Sequence, residues 1–329
     1  MALTPDGPVS DLGPIAITDR VSLGPRGPEV TRLGLGCAPL GNLYSALTDD
    51  DALATVAAAW DAGVRYFDTA PLYGHGLSER RLGAALAGRP RHEFVVSTKV
   101  GRLIRPAAGP VDTIFSVPHD VEPVWDFSRD GVLRSIAESL ERLGLDRIDV
   151  AFVHDPDDHE AQALDETFPA LCALRDEGVI GAVGVGMNQW EMPLRFLDRV
   201  DLDVVLLAGR CTLLDRSGLD SLLPACAARS VGVVLGGVFN SGVLAAPDPR
   251  SATYDYASAG PDVLSAVERL RAICARHDTT LPAAALQFAL RAPGATAVVV
   301  GARHPDEIRA DIAWATTSIP HDFWTDLPS

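Results

Sequence analysis

Lysine is almost absent from this chain. Of its 28 basic residues, 27 are arginine and one, Lys99, is lysine. Basic charge as a whole is scarce, with 44 acidic residues and a formal net charge of -16. That deficit excludes the basic face a nucleic-acid binder needs for phosphates and argues against docking on anionic membranes. Long apolar runs are missing as well. The stretch 231–246 is the longest weakly polar segment, and Asn240 and Ser241 interrupt it. A membrane span needs about 20 apolar residues. The cysteines, Cys37, Cys172, Cys211, Cys226 and Cys274, are five in number, with no C-x-x-C pair. An odd, unpaired set reads as free thiols in a reducing compartment. The N-terminus has neither a basic region nor an apolar core of the secretory kind, so the expectation is a cytoplasmic protein. Nothing in the sequence selects an oligomeric state.

What is present is globular composition, 47% hydrophobic and 22% charged. The first 14 residues are rich in proline and glycine and read as a loose arm, followed by one domain from 15 to 329. Short runs of β-branched residues or phenylalanine recur at 64–67, 94–97, 148–153, 179–185, 204–207, 231–235 and 297–300, and an eighth begins at 34–35. They lack polar alternation, as buried parallel strands do. Amphipathic helical segments lie between them at 50–62, 78–87, 131–143, 165–177, 191–199, 219–229, 261–277 and 305–315. Asp49, Asp50 and Ser78 are candidate N-caps, and Gly63, Gly144 and Gly178 mark helix ends. Eight β–α units without a linker predict an α/β fold, a (β/α)8 TIM barrel. A doubly wound sheet is the alternative, but Gly34-Leu-Gly36 and Gly184-Val-Gly186 lack the third glycine of its fingerprint. Segments near 17–21 and 30–32 predict an N-terminal β-hairpin closing the barrel bottom. Two long patternless stretches, 101–128 and 239–260, follow strands and so stand at the C-terminal face, where barrels keep their active sites. Trp125 and Phe127 in the first suit a substrate wall or simply pin the loop.

Four ionisable residues lie at or just beyond strand ends: Asp68, Tyr73, Lys99 and His154. An ammonium beside a phenol favours the phenolate, a carboxylate holds the ammonium, and an imidazole nearby holds a substrate oxygen. Arginine cannot replace lysine in this role, being larger, planar and never deprotonated. His154, Asp155, Asp157, Asp158 and His159 also resemble a metal cluster, but strand-to-loop geometry scatters such side chains, and no metal is expected.

GVRYFDTAPLYGHGLSERRLG (63–83), STKVGR (97–102) and FVHDPDD (152–158) carry these four residues in order. Over roughly residues 15–318 the chain resembles the aldo-keto reductase superfamily. HDPDDHE (154–160), GVGMNQWEMP (184–193), LLAGRCTLLD (206–215) and GGVFNSGVLA (236–245) are similar to its bacterial branch of D-threo-aldose, L-fucose and pyridoxal dehydrogenases. The resemblance implies hydride transfer between nicotinamide and a small-molecule carbonyl or sugar hemiacetal. Tyr73 is then the acid/base, Lys99 and Asp68 its support, and His154 the group that orients the reacting oxygen. It implies an aldose 1-dehydrogenase giving a lactone. Alternatives are a biosynthetic aldehyde or ketone reductase, a pyridoxal dehydrogenase, or a regulatory subunit that binds cofactor without turnover. For the cofactor it implies Asn188 at the carboxamide, and Gly237, Phe239, Asn240 and Ser241 around the pyrophosphate. Gly301, Arg303, Glu307 and Asp311 would meet the adenosine end. Glu307 stands where NADP-preferring relatives carry an arginine, which favours NAD; Arg303 nearby leaves NADP open. Gly236 stands in place of a stacking tyrosine, Ala208 of a glutamine, and Cys211 of a tyrosine, which would widen the substrate pocket.

Overall fold

The computed structural model describes residues 15–328; the expected N-terminal arm, 1–14, lies outside them. Eight parallel strands close into a barrel: β1 (Leu33–Gly36), β2 (Tyr66–Asp68), β3 (Val95–Val100), β4 (Ile148–His154), β5 (Ile180–Met187), β6 (Val204–Ala208), β7 (Gly232–Gly236) and β8 (Ala297–Gly301). Each pairs with its sequence neighbour, and β8 closes on β1. All eight expected strands are present, and the doubly wound alternative is excluded.

The predicted hairpin is Arg20–Ser22 paired with Glu29–Thr31. Beside it, Leu23 and Val30 are fully buried with Tyr66, Val150, Phe152, Val204 and Val234, the apolar filling of the barrel interior. Gly184 is required there, because a Cβ would lie 2.6 Å from the Phe152 ring. The outer faces of the strands bury Phe67, Val96, Ala151 and Val185 against the surrounding helices. Helix Asp49–Asp61 is capped by Thr48 rather than by Asp49 or Asp50, its side chain accepting from the Asp51 amide. Ser78 lies inside helix Leu77–Leu86, and its hydroxyl donates to the Cys37 carbonyl at 2.6 Å. Gly63, Gly144 and Gly178 take positive φ where helices stop.

Two expectations need correction. The stretch 101–128 is not structureless: Arg102–Pro106 pairs antiparallel with Val121–Trp125. Its sequence hides this, because prolines interrupt both strands and much of the ladder is partly exposed. The stretch 239–260 carries a small hairpin, Thr253–Tyr254 with Ala257–Ser258. The sequence reading also has no helix at 281–290. Leu281–Leu290 is helical and buried on nearly every side, so it shows no amphipathic stripe to find. Among the described residues no helix is long and apolar enough to cross a membrane.

Candidate active site

Side chains alternate across a strand. On β2, Tyr66 points into the barrel, so Asp68 does as well. On β3 the inward row ends in Ser97 and Lys99, and on β4 in Phe152 and His154. The three strand ends are adjacent in the barrel, which brings these polar residues together at its C-terminal mouth. Lys99 Nζ donates to Asp68 Oδ2 at 2.7 Å and to the Thr69 carbonyl at 2.8 Å. Ser97 Oγ donates to the other Asp68 oxygen at 2.7 Å. Lys99 is 1% exposed, so its charge is satisfied wholly by protein.

Tyr73 reaches the site from the loop after β2. Gly41 and Gly74 cross so closely that a Cβ on either would lie 2.5 or 2.4 Å from the other's backbone segment. Gly74, His75 and Gly76 then take consecutive positive φ, turning the chain into helix Leu77–Leu86. This crossing sets the half-buried phenol so that Lys99 Nζ sits 4.6 Å from its ring centre. The His154 ring stands perpendicular to it at 5.9 Å. Burial pushes the phenol above its ordinary pKa, and Lys99 pulls it back, most strongly of the opposing groups. The net direction is upward, which keeps Tyr73 protonated at neutral pH. His154 is pushed well below its ordinary value by burial and by Arg102 and Lys99, so it is neutral.

Tyr73, Lys99 and His154 line a cavity of about 270 Å³. Its walls include Leu43, Leu72, Ile114, Phe115, Met187 and Tyr256, with the polar Asp155 and Asn188. Sequence reasoning misses the apolar wall, because loop residues far apart in sequence build it. Phe115 is positioned by His75, whose Nδ1 faces the Val121 carbonyl at 3.1 Å and whose ring packs on Phe115. Trp125 and Phe127 are elsewhere: Phe127 is fully buried, and Trp125 covers Arg102 at 3.9 Å. Cys211 is also off the wall, in the core, where burial pushes its thiol up to about 12. His159 packs on Trp125 and Phe127 rather than beside His154, and Asp157 accepts from Gln189.

The loop after β7 carries the other named residues. Gly237, Asn240, Ser241 and Gly242 all take positive φ. Asn240 Nδ2 donates to the Gly209 carbonyl at 3.2 Å, while its buried Oδ1 has no partner. Ser241 clips to the small hairpin: its carbonyl accepts from Thr253 at 2.9 Å and its hydroxyl from the Tyr256 amide at 3.3 Å. Phe239 packs edge-on against Trp314. Beyond β8, whose last residue is Gly301, the Glu307 carboxylate accepts from the Arg303 amide at 2.8 Å. The Arg303 guanidinium is committed to Ser45 and to the carbonyls of Leu43, Ser45 and Ala46. Asp311 is buried one turn on, its carboxyl pushed up to about 8 by burial and by Glu307.

The sequence from 32 to 329 matches the model of the aldo/keto reductase family. It is 46% identical to D-threo-aldose 1-dehydrogenase from a Pseudomonas species, covering 92% of this chain and 94% of that protein. It is 40% identical to pyridoxal 4-dehydrogenase from Microbacterium luteolum, covering 95% and 97%. The structure of an aldo-keto reductase from Bacillus halodurans superposes with a TM-score of 0.75 at 25% identity, covering 94% and 96%. With the barrel, the phenol and the buried ion pair in place, the chain belongs to the aldo/keto reductase family and is an NAD(P)-dependent oxidoreductase.

Proposed function

We propose that this protein is a cytoplasmic aldose 1-dehydrogenase that oxidises the C1 hemiacetal of an L-fucose-like sugar to a lactone, with NAD. One observation carries the reading: the Tyr73 phenol beside the buried Lys99–Asp68 pair and a neutral His154, in an open cavity. The similarity to D-threo-aldose 1-dehydrogenase supports the sugar. The apolar wall of Leu43, Ile114 and Phe115 suits the methyl group of a 6-deoxy sugar. The five cysteines, all free thiols, support a reducing compartment.

The residues fit a nicotinamide dinucleotide. Gly186 and Ala208, small residues on β5 and β6 that line the cavity with Tyr73, leave room for a planar ring beside it. Asn188 is at hand for its carboxamide, and in the loop we assign to the pyrophosphate the Ser241 hydroxyl, which accepts from the Tyr256 amide, keeps its proton to donate. When bound, the nicotinamide would supply the hydride acceptor for oxidation at C1 and the hydride donor for the reverse reaction. Tyr73 takes the C1 hydroxyl proton as general base, and in the reverse direction donates it. Lys99 stabilises the phenolate, Asp68 holds Lys99 charged, and His154 donates to the reacting oxygen. We assign the region of Gly301, Arg303, Glu307 and Asp311 to the adenosine end. The Glu307 carboxylate and the committed Arg303 guanidinium make that region unfavourable to a 2′-phosphate, hence NAD over NADP.

Pyridoxal is the second reading, favoured by the aromatic rings of Phe115 and Tyr256 on the wall. Steady-state formation of the reduced cofactor, NADH from NAD and NADPH from NADP, on L-fucose and on pyridoxal separates the two. Tyr73→Phe should lower turnover by at least ~100-fold, the scale of a lost general base, with cofactor binding unchanged. Unchanged turnover refutes the assignment, and cofactor binding without turnover on any carbonyl would make the barrel a regulatory subunit.

A further inference from the structure

We infer that Asp155 selects substrates with a hydroxyl on the carbon next to the reacting one, by accepting a hydrogen bond from it. The inference deepens the oxidoreductase reading and rests on His154 holding the reacting oxygen.

Strand alternation alone would turn residue 155 away from the barrel axis. Its backbone instead takes φ 43°, and its amide donates to the Gly186 carbonyl at 3.0 Å. The left-handed step brings the carboxylate back to the cavity it lines. There Asp155 Oδ2 stands 3.5 Å from His154 Nε2 and 3.3 Å from Arg102 Nη2. Arg102 is itself fixed, donating to the His154 carbonyl at 3.3 Å under the Trp125 ring. The carboxylate is thus held in place, and both neighbours face the same oxygen. A carboxylate has about four acceptor positions, so Oδ1 keeps its capacity.

Two hydroxyls on neighbouring carbons are separated by about one hydrogen-bond length. A substrate oxygen on His154 Nε2 therefore brings its vicinal hydroxyl within reach of the adjacent carboxylate. Most of the remaining wall, Leu43, Leu72, Ile114 and Phe115, offers a hydroxyl nothing. A fixed carboxylate also repels substrates that carry an anion at this position. Sequence reasoning treats Asp155 only as part of a possible metal cluster, since its neighbour Arg102 lies 53 positions away.

The test compares kcat/KM on two substrate pairs: oxidation of L-fucose and 2-deoxy-L-fucose, and reduction of lactaldehyde and propanal. A hydrogen bond to a charged acceptor predicts a preference of about 30-fold for the hydroxylated member in the wild type. Asp155→Ala should bring that ratio below about threefold by lowering only the hydroxylated member. Asp155→Asn, which tolerates the left-handed backbone and keeps one acceptor, should retain part of it and guards against misfolding. A wild type without preference, or a variant that lowers both members equally or leaves the ratio intact, overturns the inference. If neither sugar is oxidised, the aldose reading fails, and the reductive pair alone decides the role of Asp155.

Discussion

Replacing Lys99 by methionine keeps an unbranched side chain, one atom shorter, and removes its charge. The ammonium lies 4.6 Å from the Tyr73 ring centre, in a site shielded from solvent. At an effective dielectric constant of about 20 a unit charge at that distance favours the phenolate by roughly 3–4 kcal/mol, or about 2.5 pH units. The pH at which sugar oxidation levels off should rise by that amount. Below it, kcat/KM should fall by about 10- to 300-fold, depending on how much phenolate character the transition state has. The equilibrium between substrate and product is fixed, so oxidation and reduction must lose the same factor. The variant also leaves Asp68 in the core with only Ser97 donating, an uncompensated charge that costs about 3–5 kcal/mol of stability. Stability and catalysis separate in the double variant Asp68→Asn/Lys99→Met, which should recover melting temperature but not activity. Lys99→Arg keeps the charge in a larger planar group, and its activity should fall nearly as far. The assay is steady-state kinetics against pH in both directions, with circular dichroism melts of all three. A pH profile that does not move with Lys99→Met, or near-wild-type activity in Lys99→Arg, refutes the reasoning.

Glu307→Gln removes the carboxylate from the region assigned to the adenosine end, so the ratio of kcat/KM for NADP over NAD should rise several-fold; an unchanged ratio would mean that Glu307 does not discriminate. His75 and His154 are both held below their ordinary pKa in the folded chain, burial being the leading cause. Above about pH 6.5 they contribute nothing to pH-dependent stability; below it the unfolded chain binds protons the folded chain does not, so stability falls, by roughly 1 kcal/mol between pH 6.5 and 5.5 for His154, which is held well below its ordinary value, and by less for the less shifted His75. His154→Gln should remove one histidine's share of that slope in denaturant melts. Asp311 is held above its ordinary value, so its burial costs most once the solution is alkaline enough to ionise it. Asp311→Asn should raise the melting temperature more at pH 9 than at pH 6, and an equal shift at both would count against a neutral buried carboxyl.

The barrel was legible because each strand is a short local signal and parallel burial strips it of polar residues. Val204–Ala208 and Ala297–Gly301 are apolar enough to find alone, and the order of such runs settles the topology. The polar cluster was legible for a related reason: period-two alternation and strand adjacency suffice to bring Asp68, Lys99 and His154 to one mouth. Local periodicity fails where it does not describe the environment. Leu281–Leu290 is surrounded by protein and has no polar face. Arg102–Pro106 is held by a strand some twenty residues away, through backbone bonds that its side chains do not advertise. The same limit hides the substrate wall. Leu43, Phe115 and Tyr256 meet only because three loops of different lengths converge, and Trp125, the more conspicuous aromatic, packs on Arg102 instead.

Two groups at this site are driven in opposite senses to their usual behaviour, and one charge connects them. Burial alone would leave Tyr73 a very weak acid and His154 a neutral donor. The second suits catalysis as it stands; the first does not, because oxidation needs the phenol to give up its proton. Lys99 is the positive group that offsets part of that shift, and it also helps to keep His154 neutral. That dual effect requires a compact charge at the centre of the floor, held by Asp68 and the Thr69 carbonyl, with neither Tyr73 nor His154 displaced. A guanidinium carries the charge but spreads it over a plane, and it does not reproduce the compact contacts that Lys99 Nζ makes to Asp68 Oδ2 and the Thr69 carbonyl. A chain that writes arginine at 27 of 28 basic positions keeps its single lysine where that difference has a chemical consequence.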